Sequence, residues 1–230
     1  MAKRPVFIAS KKPNVLVEVR QIEFVWHPGL SLSQKRKSIK SLHDSAKDLI
    51  DSQILEISSK SPDPVGVALS AFNLTLELSD KRQHSLECVF QASKVFQQGG
   101  PYTDLLEKSP KDAKRDIRLK SSGLLLFFKC DGEMWPLQPA TAFYDWLYIT
   151  ALSQNPQLSS QLLKFSAFTD IEFNPEKSIN CQARSASLFV SLRSKGLLAK
   201  AVSSKQSFLE IVSSFSFLEQ ENTETQGLLF

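Results

Sequence analysis

Glu87-Cys88-Val89-Phe90-Gln91-Ala92-Ser93-Lys94-Val95-Phe96 is the stretch on which the reading of this chain turns. Its apolar spacing predicts a helix from Leu86 to Gln97, stopped by Gly99-Gly100-Pro101. At about 100° per residue, Glu87, Gln91 and Lys94 fall within about 60° of one another, while Cys88, Val89, Ala92, Val95 and Phe96 take the broad opposite side. An ordinary surface helix carries more polar residues, so a stripe this narrow points to a shared cleft. A partly buried Glu–Lys arrangement that only solubilises one edge has the same spacing, and both readings stay open here.

Outward from this helix, Leu74-Thr75-Leu76-Glu77-Leu78 alternates like a half-buried strand, and Ser79-Asp80-Lys81-Arg82 turns it. Ser58-Ser59-Lys60-Ser61-Pro62-Asp63-Pro64 is rich in turn formers and marks a linker or domain edge. Before it, Val15–Val19 and Ile22–Trp26 have strand composition, closed by His27-Pro28-Gly29. Residues 32–50 follow as a basic helix whose Ile39, Leu42, Ala46 and Ile50 pack while Lys35, Arg36, Lys37, Lys40 and Lys47 make a positive face. That face is either a solvated surface or a phosphate-facing patch. Downstream, helices are expected at Pro110–Arg115, Thr141–Gln154, Pro156–Leu163 and Ser178–Arg193, with a strand pair between Leu124 and Trp135. The stretch from Glu219 to Gln226 loses apolar periodicity and reads as a mobile tail. The organisation expected is an N-terminal extension of strand pair and basic helix over 1–62, a catalytic domain over 63–205, and a helix end with tail over 206–230.

At 230 residues, 42% of them hydrophobic and 23% charged, the chain is long and apolar enough to bury a core. A net charge of +4 tilts it only mildly toward anionic partners. Cys88, Cys130 and Cys181 form neither a CxxC pair nor a disulfide framework, which fits a reducing compartment and argues against a structural metal. The apolar stretch after Met1-Ala2-Lys3-Arg4-Pro5 is too short for a signal-peptide core, and the run from Leu124 to Phe128 is far below the roughly 20 residues of a membrane helix. The expectation is a cytoplasmic protein with no membrane contact and no cofactor. His27, His43 and His84 sit in no metal-ligand spacing, and no GxSxG, Walker or GxGxxG pattern occurs. For an enzyme, this leaves carboxylate and lysine chemistry.

Two further segments carry candidate site residues. Asn180, Arg184, Ser187 and Ser191 share one face of the last predicted helix, where Arg184 either clamps an anion through its planar fork or forms a structural ion pair. Before it, Phe168-Thr169-Asp170-Ile171-Glu172-Phe173-Asn174-Pro175 mixes acids and aromatics in an irregular segment, the composition of loops that line ligand sites.

In order and spacing, Leu69-Ser70-Ala71-Phe72-Asn73, the segment Glu87–Lys94, Asp170-Ile171-Glu172-Phe173-Asn174, and Asn180 with Arg184 resemble the NADAR superfamily: a Ser-x-Phe strand, a Glu-x-x-Phe-Gln-Ala-x-Lys helix, an Asp-x-x-aromatic loop and an Asn/Arg-containing last helix. The likeness covers about residues 65 to 200. Phe90–Tyr102, Ala142–Tyr148 and Ile179–Ala186 look more like the subgroup encoded beside DarT-type DNA ADP-ribosyltransferase toxins. The chain departs from the riboflavin-type members, which show Asp-x-x-Trp-Gly and Ala-x-Lys-Phe, at Asp170–Asn174 and at Ala92-Ser93-Lys94-Val95-Phe96.

The resemblance implies an α+β, mainly helical NADAR (YbiA-like) fold with a small β-sheet, here with an N-terminal β/helix extension. It also implies an N-glycosidase that removes ADP-ribose from guanine in DNA and so acts as an antitoxin. The same family holds enzymes that cleave ribosylated intermediates of riboflavin synthesis, and a module that only binds ADP-ribose is a further alternative. Carried onto this chain, Glu87 is the acid/base, and Lys94 forms a Schiff base or orients the ribose. Asp170 binds ribose hydroxyls or steers water, Phe173 stacks on a ring, and Arg184 holds the pyrophosphate. Ser70, Phe72, Asn73, Gln91, Gly100, Tyr102, Arg115, Asn174 and Asn180 complete the expected ligand set, with no metal. The substrate is ADP-ribosylated DNA, preferably single-stranded because a paired guanine hides the bond; ADP-ribose is the product and a DarT-type toxin the functional partner. Lys35, Arg36, Lys37 and Lys40, or Lys111, Lys114, Arg115 and Arg118, are the candidate tracks for the DNA backbone.

Overall fold

In the computed structural model, residues 1–220 are described. The chain opens with β1 (Ala2–Ala9), β2 (Val15–Phe24), α1 (Leu32–Ala46), β3 (Ile54–Glu56) and α2 (Pro64–Ala68). A hairpin of β4 (Thr75–Glu77) and β5 (Gln83–Ser85) leads straight into α3 (Leu86–Ala92) and β6 (Lys94–Phe96). After a 3-10 turn at Thr103–Glu107 come α4 (Pro110–Arg115), α5 (Arg118–Ser121), β7 (Leu125–Cys130) and β8 (Glu133–Trp135). The last third holds α6 (Ala142–Ser153), α7 (Pro156–Leu162), β9 (Ala167–Thr169), α8 (Gln182–Ser194), α9 (Leu198–Ser203), α10 (Lys205–Ser214) and β10 (Ser216–Gln220). The fold is α+β, mainly helical, with small mixed sheets.

A five-stranded sheet in the order β10-β2-β1-β9-β3 is the spine. β1 runs antiparallel to β2 and β9, while β10 joins β2 and β3 joins β9 in parallel. Period-two alternation along β1 sends Val6 and Ile8 to the side of α1, whose Ile39, Leu42 and Ala46 cover them, and Phe7 and Ala9 to the main core. α8 packs against β1, β2 and β9 and against α6. Its residues Ser185–Leu192 are all buried, so it is a core helix rather than an amphipathic one. Around Phe143 of α6, the rings of Phe90, Phe128 and Trp135 lie with centroids 4.6–6.2 Å away, the spacing of favourable aromatic pairs.

Several expectations change. Val15–Val19 and Ile22–Phe24 belong to one long strand, with Val25 and Trp26 beyond its end, and it pairs with Ala2–Ala9, which the sequence reading passed over. The expected Ser-x-Phe strand at Ser70–Phe72 is a turn. The helix expected to reach Gln97 ends at Ala92: the Ser93 hydroxyl donates to the Val89 carbonyl at 2.7 Å, and Lys94–Phe96 then pair with β7. The spine draws strands from residues on both sides of 62 and of 205. Hence the first sixty residues share one sheet with the rest. Glu219 lies in β10, and 221–226 of the expected tail lie outside the described residues. Among the described residues no helix is long and apolar enough to cross a membrane, and no group of three or more His, Cys, Asp or Glu is placed to hold a metal.

Candidate active site

Two adjoining cavities, of about 690 and 760 Å3, share Glu87, Lys114, Tyr144, Lys177, Ser178 and Asn180 as their common wall and form one cleft with a waist. Glu87 reaches it from the first turn of α3, a helix capped by the Ser85 hydroxyl, which accepts from the Cys88 amide at 3.2 Å. The side chains of Glu87 and Gln91 are both nearly buried. The Gln91 amide donates to Glu87 Oε1 at 2.8 Å, and Lys94 Nζ donates to Gln91 Oε1 at 2.7 Å. Although Lys94 has left the helix for β6, the turn at Ser93 keeps its amine on the same stripe, 4.7 Å from the centre of the Phe90 ring. Burial pulls the Lys94 pKa down to about 8; the Glu87 charge opposes this and Lys114 adds to it. Lys114 Nζ lies 3.6 Å from Glu87 Oε1.

On the far side of the waist stands Asp170, nearly buried at the end of β9. Its Oδ1 accepts from the amides of Glu172 and Phe173 at 3.0 and 3.2 Å. Burial, with the neighbouring Glu56 carboxylate, pushes its pKa well above the usual carboxylate range. Glu56 is itself held by the hydroxyls of Ser58 and Thr169 and by the Ile171 amide, at 2.6–2.8 Å. Because the Thr169 hydroxyl donates to Glu56, it accepts from His43 Nε2 at 2.8 Å, and burial keeps His43 neutral with a pKa near 4. Gln182 pins the same region, accepting from the Ala71 amide and donating to the Ile57 carbonyl.

The two lobes differ in chemistry. Lys94 and Gln91 face the first among Phe90, Leu125, Phe128 and Leu137. Asp170 faces the second with Phe72 and Phe173 and with the cations Lys60, Lys111 and Arg115. Such an arrangement can bind an anionic ligand at one end, deliver a proton at the waist and present a partly neutral amine at the other end.

Of the sequence-derived candidates, Glu87, Gln91 and Lys94 meet in the first lobe, and Ser70, Phe72, Arg115, Asp170, Phe173 and Asn174 in the second. Glu87 and Asn180 line both. Four candidates line neither cavity. Asn73 is exposed and closes a turn by donating to the Val67 carbonyl and Ser70 Oγ. Gly100 is a packing requirement, since a Cβ there would stand 2.2 Å from the Lys94 carbonyl oxygen at a φ of +89°. Tyr102 bonds Ser122 and lies under the Arg118 guanidinium, 4.4 Å from its ring centre. Arg184 forms the structural ion pair: it bonds Asp145 and the Thr141 hydroxyl, with the Phe217 ring against its guanidinium. The positive face of α1 also divides. Lys35 is buried against Glu172 at 2.8 Å, Arg36 reaches the Ser61 carbonyl, and Lys37 and Lys40 line a separate shallow groove.

Tyr144, Gln182 and Lys177 are cleft residues that the sequence reading did not single out, and Lys114 figured there only in a surface cluster. Tyr144 lies on an almost wholly apolar helix, so periodicity carries no sign of it. Lys114 carries one, lying in a capped helix four residues from the Pro110 start and beside Arg115.

Residues 2–222 match a family model, NADAR-DarT1, described as the DarT1-associated NADAR antitoxin. A search of curated proteins found no match.

Proposed function

The chain belongs to the DarT1-associated NADAR antitoxin family, and on that premise we propose that it is a hydrolase that frees guanine bases in DNA from ADP-ribose by cleaving the N-glycosidic bond. The observation that carries this reading is the hydrogen-bonded series that runs from Glu87 at the waist of a two-lobed cleft through Gln91 to Lys94 in one lobe, with Lys60, Lys111 and Arg115, which have no ion-pair partner among the described residues, in the other. Cleaving a bond between an anomeric carbon and an exocyclic amine needs a proton donor, a group that tolerates a cationic carbon, and room on both sides.

The bond is an aminal. In the proposed course Glu87 protonates the ring oxygen of the distal ribose, whose bond to the anomeric carbon breaks to leave an iminium with the guanine amine. The neutral Lys94 amine adds to that carbon. It passes a proton to the guanine nitrogen, which departs as the free amine and leaves a Lys94 Schiff base. Water adds to the Schiff base and gives one proton to Glu87, the carbon–nitrogen bond to Lys94 breaks, and the aldehyde closes to ADP-ribose. With its pKa near 8, about one Lys94 in ten is neutral at pH 7, against fewer than one in a thousand for an ordinary lysine. A well-placed Glu87 contributes typically 10²–10⁴-fold. Asp170, at the second lobe, is placed to hold ribose hydroxyls.

The test is to incubate the protein with single-stranded DNA carrying ADP-ribosylated guanine and, separately, with ribosylated riboflavin-pathway intermediates. Release of ADP-ribose from the DNA is the expected result. Release from the intermediates alone would overturn the reading, as would tight ADP-ribose binding with no product from either.

A further inference from the structure

Five cations line the second lobe: Lys114 and Lys177 stand at the waist shared with the first, while Lys60, Lys111 and Arg115 belong to the second alone. Lys114 has Glu87 at 3.6 Å, and none of the other four has a carboxylate within ion-pair distance among the described residues. Charged side chains this close to a cleft are normally neutralised by each other or by a ligand. The first lobe is built otherwise. Phe90, Phe128, Leu125 and Leu137 line it, Lys94 is the one cation that belongs to it alone, and Ile179 stands exposed among its lining residues. At the waist, Asn180 Oδ1 is buried without a hydrogen-bond donor among the described residues, and it is the one such orphaned side-chain atom found on a residue lining both lobes. A buried acceptor left unpaired costs free energy, so its donor is expected from outside the chain.

We infer that the two lobes divide one substrate: the anionic diphosphate half lies among Lys60, Lys111 and Arg115, the flat base lies in the Phe90–Phe128–Leu137 lobe, and Asn180 accepts an N–H from the edge of that base. The assignment rests on the hydrolase reading above and adds a polarity to it. Phe72 and Phe173 then offer ring faces to the adenine end of the diphosphate half. Guanine suits Asn180 because its N1 and exocyclic nitrogen are donors side by side, whereas adenine and cytosine lack a donor at the ring nitrogen of that edge. Phe90 and Phe128 in the base lobe offer apolar surface to a group with no charge and a wide π-face. The exposed Ile179 lies where the neighbouring unstacked nucleotide leaves the cleft.

The experiment pairs two readouts on the full chain: the dissociation constant of free ADP-ribose by calorimetry, and KM and kcat for an ADP-ribosylated oligonucleotide. The double variant Lys111→Ala/Arg115→Ala is expected to weaken free ADP-ribose binding by about tenfold or more, since it removes charge-assisted contacts to the diphosphate. Asn180→Ala, which removes the acceptor proposed for the base, and Gln138→Glu, at a residue that lines the first lobe alone, are expected to leave that constant within about twofold while raising KM for the oligonucleotide about tenfold. Asn180→Asp, which keeps the acceptor oxygen, should restore most of the loss in Asn180→Ala. Weaker ADP-ribose binding in Asn180→Ala, or unchanged binding in the double variant, would overturn the polarity. Should the unaltered protein release nothing from DNA, it is the hydrolase reading that fails; release with the opposite pattern of variants overturns the polarity alone.

Discussion

Glu87 and Lys94 are joined through a single side chain: Gln91 donates to the carboxylate at 2.8 Å and accepts from the lysine at 2.7 Å. A carboxamide donates from its nitrogen and accepts at its oxygen, so it couples the two proposed reacting groups without adding charge between them. Gln91→Leu removes the coupling and keeps the volume roughly constant. We expect kcat to fall by about tenfold to a hundredfold with ADP-ribose affinity preserved, the sign of a group that positions rather than binds. Gln91→Glu places a second carboxylate against Lys94, raises the pKa of its amine and moves the rising limb of the rate profile to higher pH.

On the proposed course the neutral Lys94 amine is the reacting form, and its pKa lies near 8. The limb of the kcat/KM profile that Lys94 sets should therefore rise through about pH 8. Lys94→Met should lose at least about two orders of magnitude, and borohydride added during turnover should leave a covalent sugar adduct on Lys94 that mass spectrometry locates. An unlabelled protein, with turnover proceeding, would remove the Schiff base and leave Lys94 as an orienting group.

Arg184 neutralises Asp145, a nearly buried carboxylate that also accepts from the Ser185 hydroxyl at 2.6 Å. Arg184→Ala strands that charge in the core between α6 and α8 and should cost about 3 kcal/mol in urea unfolding. The companion variant Asp145→Asn/Arg184→Met, which removes both charges, should recover much of the loss. ADP-ribose affinity of the folded fraction should be unchanged in both, because neither residue lines the cleft.

Asp170 has its pKa raised by burial and by Glu56, so its protonated form is the one the folded state favours. The stability it contributes is full below the ordinary carboxylate pKa near 4 and is lost as pH rises toward the raised folded value. Asp170→Asn mimics the protonated form and keeps an acceptor for the Glu172 and Phe173 amides. Its urea midpoint should lie close to that of the unaltered protein at about pH 4 and move above it as the pH is raised past neutrality. A difference that does not change with pH would mean that Asp170 titrates as an ordinary carboxylate.

Much of this molecule is legible in one dimension because local rules decide it. Pro110 and Pro156, each after a capping Ser109 or Asn155, start their helices where proline at the first turn is tolerated. Spacing also selected Glu87, Gln91 and Lys94 as one stripe, and it survives because the turn at Ser93 returns the lysine to the same side. Tertiary structure decided the rest. Whether Val95 and Phe96 continue a helix or pair as a strand depends on β7, some thirty residues away, which the 3.6-residue period does not register. Arg184 became a structural cation only because folding brings Asp145 against it, whereas Lys111 and Arg115 of α4 line the cleft with no carboxylate at ion-pair distance among the described residues. Periodicity chose which side chains share a face; long-range packing set each one's partner, and for a charged group the partner decides between holding the fold together and holding a substrate.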